Sequence, residues 1–112
     1  MRLKPGTELL GLRPEMVVAI LAVYAAYQEH CKSNGDYEAA VPLITSCTDG
    51  KHSKGSRHYV GCAVDFRTRY LSEEQKDAIF SDLIRWLGDQ FDVILEPTHL
   101  HIEFDPEYHH ET

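Results

Sequence analysis

The chain has 112 residues, 43% of them hydrophobic and 26% charged, which is enough for one domain with a modest core and no disulfide staples. A formal net charge of −7 and a pI near 5.4 exclude a general polyanion binder, because phosphate contacts need clustered Lys and Arg. Cys31, Cys47 and Cys62 are odd in number and lack C-x-x-C spacing, so they read as reduced thiols rather than a disulfide framework.

Residues 1–13 read as an arm, interrupted by Pro5 and Gly6, with no visible signal peptide; synthesis in the cytoplasm is expected. The most apolar run, 16–27, has twelve residues. A membrane span needs about twenty, so this run predicts a buried helix and no span. Pro14 suits the first helical turn, where its missing N–H costs nothing, and Glu15 suits the positive end of the dipole. The helix is expected to reach Cys31 and stop near Asn34-Gly35. Met16, Ile20, Val23 and Tyr27 follow helical spacing, with Val17, Leu21 and Tyr24 widening the stripe. His30 reads as a surface residue compatible with the helix C-terminus rather than a ligand.

A strand is predicted over 41–46, with Pro42 marking its start or a sheet edge. A polar loop follows over 47–56, turning at Asp49-Gly50, and a second strand over 60–66. Ser72 with Gln75 three residues on has the capping-box pattern and opens a helix to about Gly88, with Ile79, Leu83, Trp86 and Leu87 as its apolar stripe. Strands over 91–95 and 99–104 are joined at Glu96-Pro97-Thr98, and residues 106–112 form a polar tail whose His109 and His110 read as a frayed terminus. This order predicts an α+β domain over 1–112: a small antiparallel sheet packed against two main helices, with a monomer expected.

Two stretches carry chemistry. In the first, His58 precedes Asp65, and strand alternation puts Gly61, Ala63 and Asp65 on one face and Cys62, Val64 and Phe66 on the other. A carboxylate behind two small residues on a half-buried strand needs a partner, because an unpaired buried charge is costly. In the second, His99, His101 and Glu103 share one strand face, opposite Leu100, Ile102 and Phe104. Imidazole and carboxylate donors of this kind suit zinc, which takes three protein ligands plus a water in catalytic sites. The alternative is a polar strand edge facing solvent.

Ser56-Arg57-His58-Tyr59-Val60-Gly61-Cys62-Ala63-Val64-Asp65, followed downstream by His99-Leu100-His101, resembles the zinc peptidases of peptidoglycan. These are the D-alanyl-D-alanine carboxypeptidase and dipeptidase group, the allied phage endolysin peptidases, and the hedgehog amino-terminal domain that shares their fold. Asp49-Gly50-Lys51-His52-Ser53 ahead of the first motif, and Phe91-Asp92 and Glu96 ahead of the second, are similar to the hedgehog version. The resemblance covers residues 41–105.

It implies that His58 and Asp65 bind zinc. The third ligand is His101 in the hedgehog-like register and His99 in the Glu-Pro-x-His register of carboxypeptidases; the first is favoured. It further implies that Glu96 is the general base, passing a proton from a zinc-activated water to the leaving amine, with His99 and His52 stabilising the oxyanion. Many carboxypeptidases of this group carry an arginine after an Ile-Thr-Ser strand, to grip the substrate carboxylate. Here Ile44-Thr45-Ser46 leads to Cys47, Thr48 and Asp49, so endopeptidase action on stem or cross-link peptides fits better. The implied partner is peptidoglycan peptide; the acidic net charge argues against nucleic acid. The implied place of action is the bacterial cell wall, reached through a lytic partner or a virion. The rival implication is a catalytically silent, zinc-stabilised binding module of the same fold.

Overall fold

The computed structural model describes residues 2–31, 40–47 and 63–105. Helix α1 (Pro14–Cys31) starts at its proline, the Met16 N–H donating to the Arg13 carbonyl at 3.0 Å. It buries Met16, Ala19, Val23, Ala26, Tyr27 and Cys31, spaced three or four residues apart along one face. Val17, Leu21 and Tyr24 do not widen this stripe; they are exposed. This buried face combines the small Ala19 and Ala26 with the larger Met16, Val23 and Tyr27.

Helix α2 (Glu73–Leu87) opens on the expected capping box: the Gln75 N–H donates to Ser72 Oγ at 3.1 Å, and the Ser72 N–H donates to Gln75 Oε1 at 2.8 Å. Ile79 and Leu83 are buried, with Phe80 and Leu87 packed beside them. Trp86, expected in this stripe, is 46% exposed, because the buried arc is rotated toward Phe80 and Trp86 falls at its rim. His30 is also more than a surface residue. Its Nε2 lies 2.6 Å from Asp82 Oδ2, which ties the last turn of α1 to α2.

Five strands form one sheet: β1 (Arg2–Leu3), β2 (Leu43–Ser46), β3 (Ala63–Arg67), β4 (Phe91–Leu95) and β5 (His99–Phe104), in the order β1-β2-β3-β5-β4. The architecture is α+β, but the sheet is mixed rather than wholly antiparallel, because β1 runs parallel to β2. Residues 1–13 are thus not simply an arm. The Arg2 N–H donates to the Pro42 carbonyl at 3.0 Å and the Lys4 N–H to the Ile44 carbonyl at 2.9 Å. Strand β2 begins at Leu43, just past the proline that has no N–H for a ladder.

Val64, Phe66, Leu100, Ile102 and Val93 point from the sheet toward both helices and form the core with the buried faces of α1 and α2. The parity expected for β3 and β5 therefore holds over the described residues. Cys31 and Cys47 are buried thiols, while Cys62 lies outside the described residues. Among the described residues, no helix is long and apolar enough to cross a membrane.

Candidate metal centre

The opposite face of the sheet carries the polar residues. Antiparallel pairing sets Asp65 across from His101, Arg67 across from His99 and Ala63 across from Glu103. Directly opposed residues have Cβ atoms about 4.5–5.5 Å apart, so these side chains meet without any loop to position them. The Thr45 hydroxyl of β2 donates to the Asp65 carbonyl at 3.5 Å.

His101 is the hub. Its Nδ1 lies 2.6 Å from Asp65 Oδ1 and its Nε2 lies 3.0 Å from Glu103 Oε1. The Asp65 and His101 side chains are each 15% exposed. Carboxylate oxygens at both ring nitrogens favour the doubly protonated ring, in which both N–H groups donate. Burial alone would lower the His101 pKa; the hydrogen bonds and negative charges of Asp65 and Glu103 outweigh it and push the pKa up to about 9.

His99 is next on the same face. Its Nδ1 shares a hydrogen bond with Thr98 Oγ1 at 3.1 Å. Its Nε2 lies 3.5 Å from Glu96 Oε2 and 4.0 Å from Asp65 Oδ1. Glu96 closes the hairpin between β4 and β5, its N–H donating to the His99 carbonyl at 2.9 Å. Four of the six site residues expected from sequence, Asp65, Glu96, His99 and His101, are thus neighbours. His58 and His52 lie outside the described residues.

The donor set fits zinc in kind: a carboxylate and an imidazole, both mostly buried and side by side. With zinc bonds of about 2.0–2.2 Å and tetrahedral angles, two ligand atoms sit about 3.3 Å apart. The 2.6 Å contact is that of a hydrogen bond, so holding an ion here would require the Nδ1 proton to leave and the pair to separate by several tenths of an ångström. Glu103 would then hold Nε2–H, the arrangement that fixes ring orientation in carboxylate–histidine–metal sites. Its same-face spacing from His101 signals its position in the sequence, but not which nitrogen it meets.

Among the described residues, Asp92, Glu103 and Asp105 are the set of three whose donor atoms lie within 4.8 Å of one another; Asp65, His99 and His101 do not close to that distance. No protein-family model, no curated protein and no solved structure matches the chain.

Proposed function

We propose that this chain is a zinc-dependent peptidase that hydrolyses an amide bond in the stem or cross-link peptides of peptidoglycan, on a fold of the hedgehog and D-alanyl-D-alanine peptidase type. The observation that carries this reading is the meeting of Asp65 and His101 from neighbouring strands, with Glu103 on the far ring nitrogen and Glu96 and His99 alongside. In this reading Asp65, His101 through Nδ1, and His58 hold the ion. Zinc, when bound, supplies a Lewis acid and a water of near-neutral pKa. Glu96 accepts the proton of the attacking water and delivers it to the leaving amine. His99, held by Thr98, donates a hydrogen bond to the oxyanion, and His52 is assigned the same role by the sequence resemblance. The site of action is the bacterial cell wall. The rival reading is a catalytically silent, zinc-stabilised binding module of the same fold, which would use the same ligands.

Metal analysis and digestion of purified sacculi test the two readings together. The wild type should carry about one zinc per chain, the stoichiometry of a single three-ligand site. His58→Ala, Asp65→Ala and His101→Ala should lose it, while His99→Ala keeps it and slows. Glu96→Gln should keep zinc and melting temperature, yet release new amine termini about 10²–10⁴-fold more slowly. Full zinc in both the His58 and Asp65 variants would end the metal reading. Zinc-loaded wild type that cleaves no peptidoglycan chemotype would leave the binding module.

A further inference from the structure

We propose that the cavity where β3 leaves the sheet and β5 enters it binds a phosphomonoester-type dianion. The cavity has a volume of about 470 Å³, and Lys4, Arg67, Arg69 and Lys76 line it with Thr68 and His99. These are four of the eleven Lys and Arg in a chain of net charge −7, and among the described residues no carboxylate lines the cavity with them. They come from different places: Lys4 follows β1, Arg67 ends β3, Arg69 lies in the turn beyond it, and Lys76 belongs to α2. The fold therefore concentrates positive charge that the composition does not supply in bulk. Like charges gathered in a concave site focus the potential and attract anions.

A further observation points to a ligand. Among the described residues, Lys4, Arg67 and Arg69 form no ion pair with a carboxylate, and only Lys76 has one, to Glu73 at 3.1 Å. Thr68 is 2% exposed, and its Oγ1 is buried with no hydrogen-bond partner among the described residues. A buried hydroxyl left unpaired costs free energy, and Thr68 belongs to the wall of the cavity. The wall is also fixed in place. The Thr68 N–H donates to the Thr98 carbonyl at 3.3 Å, and the Tyr27 hydroxyl donates to the Arg67 carbonyl at 3.0 Å.

Charge count decides the class of ligand. One carboxylate offsets one of the three cations that form no ion pair among the described residues. A phosphomonoester carries about −1.5 to −2 charge at pH 7 and three strong acceptor oxygens, and arginine forks match it bidentately. The Arg67–His99 register sets this cavity directly beside the candidate metal centre, so a ligand anchored by its phosphate reaches His99 with the rest of its body. The anion site stands on the cavity alone and needs no ion at Asp65 and His101.

Titration of the full chain tests it, with inorganic phosphate, glucose 6-phosphate and acetate compared at constant ionic strength by calorimetry and thermal shift. Phosphate should bind and raise the melting temperature, while acetate at the same concentration does neither. Glucose 6-phosphate binding at least as tightly as phosphate assigns the site to a phosphorylated small molecule; weaker binding assigns it to free phosphate. Arg67→Gln and Arg69→Gln should each weaken phosphate by about tenfold or more, the worth of a charged hydrogen bond. Arg69 is exposed, so its variant keeps the fold if the Arg67 variant does not. Equal binding of acetate and phosphate overturns the proposal. So does phosphate binding that survives both arginine changes but is lost in Asp65→Ala, because the anion would then sit on a metal.

Discussion

His101 is clamped between Asp65 and Glu103, and this sandwich has a consequence for pH. Its pKa rises from the ordinary 6.5 to about 9 in the folded, metal-free chain. The protonated ring therefore stabilises the fold fully below pH 6.5, and that contribution disappears as pH rises through about 9. Chelator-treated protein should lose on the order of 2–3 kcal/mol of stability over this window, because each tenfold gain in proton affinity on folding is worth about 1.4 kcal/mol. His101→Gln should flatten the loss. Denaturant melts at pH 6 and pH 9.5 check this, and an equal slope in both proteins would show that the clamp carries no proton. The residues of this clamp were legible from strand alternation, which puts Asp65 on one face of β3 and His101 and Glu103 on one face of β5. The ring's charge was not, because it depends on two contacts that exist only once β3 and β5 pair in this register.

Helix α2 shows how much of an element local chemistry can specify. Ser72 and Gln75 define its start, and Gln75 Nε2 also donates to the His30 carbonyl at 3.3 Å, so the same residue caps one helix and satisfies the end of the other. Gly88 defines its stop. Its φ is +79° and ψ −170°, and its N–H donates to the Ile84 carbonyl at 3.3 Å. A Cβ there would meet nothing within 4 Å. Gly88→Ala should nevertheless cost about 1–3 kcal/mol, because the backbone region itself is closed to L side chains. Thermal melts should show this loss with an unchanged circular-dichroism spectrum; a neutral result would mean the turn relaxes to negative φ. Caps and turns were readable because their partners lie within four residues. The rotation of α1 was not: Ala19 and Ala26 look neutral in sequence, and their burial depends on the elements that pack against the helix. Strand β1 was not legible either, since two residues have no period and are held entirely by the edge of β2. The basic cavity was hidden for the same reason, its four cations being as far apart in the chain as Lys4 and Lys76.

At the scale of the whole molecule, one layer of two helices covers the apolar face of the sheet, and the polar face holds both the His101 clamp and the approach to the basic cavity. Among the described residues, β1 is the strand that closes the sheet on the β2 side. Deleting residues 2–5 should remove the two hydrogen bonds to Pro42 and Ile44 and cost about 1–3 kcal/mol. It should also weaken phosphate, because Lys4 goes with them. The larger effect concerns solubility. Without β1, the backbone groups of Leu43–Ser46 become an open template to which another chain can add as a strand. Light scattering across a concentration series should reveal self-association in the shortened chain and none in the intact one. Two residues that look like a loose leader would then be the cover that keeps this sheet from growing between molecules.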